Sequence, residues 1–247
     1  MEALRIERLT KNFGGLRVLN ALSFQVGEER RLAIIGPNGA GKTTLFNVIA
    51  GTLPPSSGKI YLYSRDVTQL PQYERTRLGL SRTFQVTNLF FNFSVLDNVV
   101  LAKLGQDRSK FNMVRRLSSF KTLLEESERL LEEWGLEEKR NSPVRSLSHG
   151  EQRQLELILG LASTPRILLL DEPTAGMGRA ETDILVSRIQ EFLGDILVLM
   201  IEHDMRVAFA VAQRIIVLHH GQIIADGKPE EIKATPGVRE AYLKGAV

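Results

Sequence analysis

Apolar and polar positions alternate through the opening of the chain. Leu4, Ile6 and Leu9 are interleaved with Arg5, Glu7 and Arg8, and Leu22, Phe24 and Val26 with Ser23 and Gln25, the period-two pattern of half-buried strands. Gly14-Gly15 and Gly27-Glu28 punctuate these segments. The pattern then changes. Leu32-Ala-Ile-Ile35 is a continuous apolar run, which predicts a strand buried on both faces, and it feeds a glycine-rich loop and a helix-compatible segment from Lys42 to Ala50. Similar runs recur at Ile167–Leu170, Ile196–Ile201 and Ile215–Leu218. Between the first two lies a helical segment whose predicted apolar stripe holds Ile184, Leu185, Ile189, Phe192 and Leu193. Strand, helix and strand in repetition mark the α/β class. From Asn98 to Gly160 no buried strand run occurs; Leu123, Leu124, Leu130, Leu131 and Trp134 form a helical stripe ended by Gly135, and a second stripe starts at Leu155. This middle portion reads as a helical insert in an α/β core.

Composition narrows the possibilities. With 247 residues the chain fits one large domain or one domain with an inserted subdomain. It holds no cysteine, which excludes a disulfide framework, a cysteine-ligated zinc or iron–sulfur centre and a cysteine nucleophile. A formal charge of +3 is too small to argue for a nucleic-acid partner. No stretch approaches the ~20 apolar residues that cross a bilayer, and the opening MEALRIERLT lacks the apolar core of a signal peptide. The chain is therefore expected in the cytoplasm. Charge is segregated within the helical insert: Lys103, Arg108, Lys110, Arg115, Arg116 and Lys121 face a single acid, Asp107, ahead of a helix rich in glutamate (Glu125, Glu126, Glu128, Glu132, Glu133). The run reads either as a solvated loop or as a cationic surface near anionic lipid headgroups.

The candidate chemistry begins at Gly36-Pro37-Asn38-Gly39-Ala40-Gly41-Lys42-Thr43-Thr44. This segment matches G-x-x-x-x-G-K-[ST] and sits between a buried strand and a helix. Glycines let successive backbone N–H groups and the helix N-terminus face phosphates; Lys42 reaches the β/γ oxygens, and the Thr43 hydroxyl ligates Mg²⁺. Asp171 and Glu172 close the apolar run from Ile167, at the carboxyl edge where α/β sheets place ligands. Neighbouring residues of an extended chain point opposite ways, so Asp171 can serve the metal while Glu172 addresses water.

Leu147-Ser148-His149-Gly150-Glu151-Gln152 then resembles the LSGGQ signature of ABC ATPases. The same resemblance is carried by Phe13 at the place of the adenine-stacking aromatic, Gln85 at the Q-loop, Pro173–Met177 leading into the D-loop, and His203 in Ile201-Glu-His-Asp204. It covers essentially the whole chain. The phrases Arg82-Thr-Phe-Gln85, Val95-Leu-Asp-Asn-Val99 and Ile201–Met205, the long basic loop and the tail Pro236–Leu243 look like the ATPase subunits of bacterial branched-chain amino acid importers. Relatives serving urea, short amides or aromatic acids read much the same. Three positions depart from the common pattern: His149 stands for Gly and Glu151 for Gln in the signature, and Gly178 for the usual acidic or amide residue of the D-loop.

The resemblance implies an α/β P-loop NTPase (RecA-like) core with an N-terminal antiparallel β subdomain, at 1–85 and 161–247, and an inserted α-helical subdomain at 86–160. It implies ATP and Mg²⁺ as cofactors, with Thr43, Gln85 and Asp171 at the metal and Glu172, His203 and Gln85 in catalysis. It further implies a head-to-tail dimer, of identical or paralogous chains, in which Ser148, His149, Gly150 and Glu151 meet the partner's ATP. Two integral membrane permeases and an external solute-binding protein would complete the assembly, with this chain peripheral on the cytoplasmic side of the inner membrane. Soluble ABC proteins of translation carry two ATPase domains, repair types insert zinc modules or long coiled coils, and a small-molecule kinase leaves LSHGEQ unexplained. The expected activity is ATP hydrolysis that powers import.

Overall fold

The computed structural model describes residues 2–27, 29–83, 89–105 and 121–235. Strands β1 (Leu4–Phe13), β2 (Leu16–Val26), β3 (Arg31–Ile35), β4 (Ser57–Leu62), β5 (Arg65–Asp66), β6 (Leu80–Arg82), β7 (Ile167–Asp171), β8 (Leu197–Ile201), β9 (Arg214–His219) and β10 (Gln222–Gly227) form two sheets. The first is antiparallel, in the order β2-β1-β4-β5; the second runs β10-β9-β3-β8-β7-β6. From β9 to β6 the second sheet is parallel, and β10 closes it as an antiparallel hairpin on β9. The helices are α1 (Lys42–Ala50), α2 (Gln72–Arg77), α3 (Val95–Leu104), α4 (Lys121–Glu133), α5 (His149–Leu161), α6 (Arg179–Phe192), α7 (Met205–Val211) and α8 (Pro229–Ala234).

The parallel sheet lies between two hydrophobic cores, and the pleat divides its side chains between them. Leu32, Ile34, Ile167, Leu169, Leu197, Leu199 and Ile201 join the core shared with the antiparallel sheet and α1. Ala33, Ile35, Leu168, Leu170, Val198 and Met200 face the other core, which also takes in Val95, Leu131, Trp134, Leu155, Leu185 and Ile189 from the helices. That sharing explains why the predicted buried runs have no polar face. The helix starts are chemically marked: Ser94 and Ser148 each accept a hydrogen bond from the N–H three residues on, and Asp97 and Glu151 bond back to the cap, a capping box at both sites.

Two readings of the pattern need correction. Ile184 is 54% exposed; the inward stripe of α6 is Thr182, Leu185 and Ile189, so the 3.6-residue period carries Ile184 to the solvent side. The signature helix starts at His149, well before the apolar residues that announced it at Leu155. In β1 the three-residue step from Ile6 to Leu9 is real. The register slips there, Arg8 takes φ 47°, and its N–H is satisfied by Ser23 Oγ at 2.8 Å, so Leu9 returns to the buried face.

Arg75 on α2 is 1% exposed. Its Nη1 donates to Val48 O at 2.8 Å and Ile49 O at 2.7 Å, its Nε to Leu70 O at 2.9 Å and its Nη2 to Thr68 O at 3.0 Å. A cation thus rests at the C-terminus of α1, the negative end of that helix. Burial lowers the guanidinium pKa to about 10. Arg75→Met strands several buried carbonyls and is expected to cost at least about 3 kcal/mol. Arg75→Lys is expected to recover little of this, since one ammonium cannot reproduce the fork. Urea unfolding of the three proteins measures both effects.

Candidate functional site

The loop Gly36–Gly41 leaves β3 and enters α1 with little free space around it. A Cβ on Gly36 would lie 2.1 Å from Leu218 O, and one on Gly41, at φ 102°, would lie 2.9 Å from Val18 O; neither place admits a side chain. Gly41 caps α1 without a side-chain acceptor, and the first turn of α1 holds no acid. The positive end of the helix is therefore left for an anion. Lys42 opens the helix but is only 5% exposed. Its Nζ donates to Gly36 O at 2.7 Å and Pro37 O at 3.0 Å, which folds the ammonium back over the loop. Burial pushes its pKa below the ordinary lysine value, and the nearby charges of Glu172 and Asp171 oppose that shift. Thr43 and Thr44 follow, both half-buried.

Asp171 ends β7 and is 3% exposed. Its Oδ2 pairs with Arg82 Nη2 at 2.8 Å, while its buried Oδ1 has no hydrogen-bond partner among the described residues. One oriented carboxylate oxygen and one hydroxyl suit Mg²⁺, which takes few protein ligands beside water and phosphate oxygens; no cluster of three or more His, Asp or Glu exists among the described residues to form a closed metal cage. Glu172 adopts φ 50°, and its N–H donates to Ile201 O at 3.0 Å. Its Oε1 lies 2.6 Å from His203 Nε2. The structure thus brings Lys42, Asp171, Glu172 and His203 to one edge of the sheet.

The signature residues form a second group. Ser148 Oγ accepts from Glu151 N–H at 3.2 Å, which leaves the hydroxyl proton free to donate. Glu151 accepts from Ser148 N–H and pairs with Lys139. Partial burial raises its pKa, but the bonds from Lys139 and Ser148 outweigh that and the net shift is downward. A glutamate in place of glutamine is thereby accounted for locally. The His149 ring lies over Gly176, and the Glu181 carboxylate lies over Gly150. Gly178, at φ −68°, receives the Glu181 carboxylate on its N–H at 3.1 Å; nothing in that backbone demands glycine. No hydrogen bond or ion pair joins residues 148–151 to Gly36–Thr44 among the described residues.

Phe13 stands at the end of β1, 47% exposed, with Lys11 Nζ 5.1 Å from its ring centroid. Gln85, the cationic residues Arg108, Lys110, Arg115 and Arg116, and the tail 236–247 lie outside the described residues. Of the basic run's ends, Lys103 pairs with Glu126 at 2.9 Å.

Sequence reasoning missed Glu202. It follows β8 and is 3% exposed. Its Oε1 accepts from the Thr174 N–H and hydroxyl, at 3.3 and 2.7 Å, and its Oε2 from the N–H groups of His203 and Asp204, at 3.0 and 3.4 Å. Burial raises its pKa against the pull of these bonds. The carboxylate ties the segment after Glu172 to the one that carries His203. Only its place next to His203 could have flagged it.

A glycine loop with a buried lysine, facing carboxylates across the carboxyl ends of parallel strands, is the apparatus of a P-loop nucleotide-hydrolysing protein. Residues 19–175 match the ABC transporter family. The chain is 37% identical over 249 residues to BraF, the high-affinity branched-chain amino acid transport ATP-binding protein of Pseudomonas aeruginosa, with 97% of each chain covered. It is 37% identical over 247 residues to LptB, the lipopolysaccharide export system ATP-binding protein of Acidithiobacillus ferridurans, with 98% of this chain and 97% of that one covered. A crystal structure of the ADP conformation of an ATP-binding cassette of an ABC transporter superposes with a TM-score of 0.88 at 28% identity, covering 98% of this chain and 99% of the other. The chain belongs to the ABC transporter family, as its nucleotide-binding ATPase subunit.

Glu202→Gln must turn an amide NH₂ toward N–H donors whichever way it flips. It is expected to destabilise the fold by about 1–3 kcal/mol and to lower turnover while leaving nucleotide affinity in place. Urea unfolding, ATPase assay and nucleotide titration check the three parts.

Proposed function

We propose that this chain powers import of branched-chain amino acids from the cytoplasmic face of the membrane, by hydrolysing MgATP as one of two ATPase chains attached to permease subunits. The observation that supports the reading best is the division of the site. Lys42, Asp171, Glu172 and His203 converge at one sheet edge, while Ser148 caps α5 as an exposed residue, with Gly150 buried in the turn behind it, and no hydrogen bond or ion pair ties residues 148–151 to the phosphate loop among the described residues. A head-to-tail pair of chains would bring the Ser148–Glu151 turn of one to the phosphates held by the other, so each site needs both chains.

The phosphate loop, from Gly36 to Thr44, cradles the β- and γ-phosphates with backbone N–H groups, and Lys42 exchanges its two carbonyl partners for phosphate oxygens. Phe13, exposed at the strand end, stacks on the adenine. Thr43, Asp171 and Gln85 would hold Mg²⁺, which would supply positive charge to the phosphate oxygens. Glu172 accepts the proton of the attacking water. His203, whose Nε2 lies 2.6 Å from Glu172 Oε1, turns to the γ-phosphate in this reading. His149 and Glu151 shape the turn that offers Ser148 and Gly150. Residues 86–160 carry the turn, so nucleotide closure and permease movement act on one helical unit. No helix among the described residues is long and apolar enough to cross a membrane, and the permeases are separate chains in this reading. The branched-chain substrate rests on the match to BraF, together with the importer-like phrases of the sequence.

Glu172→Gln is expected to retain ATP binding and to accumulate an ATP-bound dimer on size exclusion. Its turnover should fall by about 10²–10⁴, some 3–5 kcal/mol of barrier. Near-wild-type turnover would refute the assignment of the base. For the substrate, the chain reconstituted with the permeases of its own transport operon should show ATPase activity stimulated by receptor loaded with leucine, isoleucine or valine. Stimulation by lipopolysaccharide instead would move the chain to the export branch that LptB represents.

A further inference from the structure

We propose that Arg82 is a positioning residue that sets the cation affinity of Asp171 and couples it to strand β6. The inference rests on the reading of Asp171 as a Mg²⁺ ligand. Arg82 ends the edge strand β6, in register with Leu169 of β7. Its Nη2 donates to Asp171 Oδ2 at 2.8 Å and its Nη1 to Asn47 Oδ1 at 2.6 Å. The side chains of Arg82 and Asp171 are 9% and 0% exposed. Asn47 lies on α1, the helix that begins at Lys42. A single planar fork therefore joins the edge strand, the phosphate-loop helix and the carboxylate at the end of β7, an arrangement that an ammonium cannot copy.

The pair acts on a metal in two opposing ways. It fixes the Asp171 carboxylate by one oxygen, leaving Oδ1 buried and without a partner among the described residues. It also places a fixed positive charge beside a site for a divalent cation, where water does little to screen it. Orientation of one short side chain is a small effect; a full charge in a poorly screened interior is a large one. The balance therefore makes Arg82 a brake on metal affinity. Arg82 also lines a cavity of about 260 Å³ whose walls include Thr83, Ala102, Glu156 and Leu159, between β6 and helices α3 and α5. Whatever shifts β6 against those helices shifts the counter-charge of Asp171, so metal affinity and the geometry of the helical region are coupled.

The test uses the full chain, a fluorescent non-hydrolysable ATP analogue and a Mg²⁺ titration of its affinity, with no turnover involved. Arg82→Gln is expected to lower the Mg²⁺ midpoint by roughly tenfold or more, read apart from analogue binding in EDTA, which the loss of a nearby cation weakens. Arg82→Lys keeps the charge and should stay within about threefold of wild type. A wild-type Mg²⁺ effect that Arg82→Gln leaves in place, or an Arg82→Lys shift equal to that of Arg82→Gln, overturns the inference alone. Absence of any Mg²⁺ effect in the wild type overturns the assignment of Asp171, and the inference with it. Should thermal unfolding show that Arg82→Gln does not fold, Asn47→Asp decides. It leaves both members of the pair in place and sets a competing carboxylate on the guanidinium, so the midpoint should fall by at least about threefold; an unchanged midpoint overturns the proposal.

Discussion

The path of the Gly36–Gly41 loop is the constraint on which the rest of the site depends. The chain must turn from β3 into α1 while passing the Leu218 carbonyl near the end of β9 and the Val18 carbonyl near the start of β2, at distances that leave no room for a Cβ on Gly36 or Gly41. The Ala40 N–H turns back to Pro37 O at 3.2 Å, while the N-terminus of α1 is capped by no side chain, which leaves its first N–H groups without such an acceptor. Lys42 has the same difficulty: its ammonium is buried and finds two carbonyl oxygens of its own loop, with the charges of Asp171 and Glu172 nearby. A triphosphate relieves both conditions at once, giving acceptors to the N–H groups and counter-charge to the ammonium. The two carboxylates arrive because β7 and β8 are parallel neighbours, with Asp171 in register with Ile201, one residue before Glu202 and two before His203.

How much of this was legible in the sequence depended on whether the signal was local. The apolar runs of β3, β7, β8 and β9 were legible because a strand buried on both faces needs every position apolar, and the two cores on either side of the sheet show why. The phosphate loop was legible because its spacing is itself the signal, and the Asp171-Glu172 pair because it closes an apolar run; the extended alternation expected of the pair fails at Glu172, which leaves the strand at φ 50°. Ile184 misled, since apolar identity alone does not fix its angle on a helix. The kink at Arg8 was present in the text only as a skipped beat between Ile6 and Leu9. Arg75, Arg82 and Glu202 were illegible for a different reason: each is a charged residue with partners far along the chain, and composition makes such residues look like surface. The family resemblance supplied positions for Gln85 and Phe13, but no local pattern supplied their surroundings.

The departures in the signature also make sense only in three dimensions. Glu151 closes a capping box and pairs with Lys139, so its charge is spent within the first turn of α5. His149 lies over Gly176 and Glu181 over Gly150, and Glu181 also holds the N–H of Gly178. The turn expected to face a second nucleotide is thus braced against the segment that follows Glu172.

Arg75, Arg82 and Glu202 share a logic. Each buried charge sits where two parts of the site meet: Arg75 between α2 and the end of α1, Arg82 between β6, α1 and β7, Glu202 between the residues after β7 and those after β8. Apolar residues could fill the same volumes, although each would strand buried partners at a cost in stability. What they could not do is fix a relative placement to within a hydrogen bond, or let that placement answer to a change in charge. Such junctions matter in a nucleotide-binding ATPase, because a bound nucleotide alters the charge at every one of them it touches. Arg75, at the end of α1 opposite Lys42, anchors; Arg82 and Glu202, bonded directly to Asp171 and to the backbone of His203, are placed to respond.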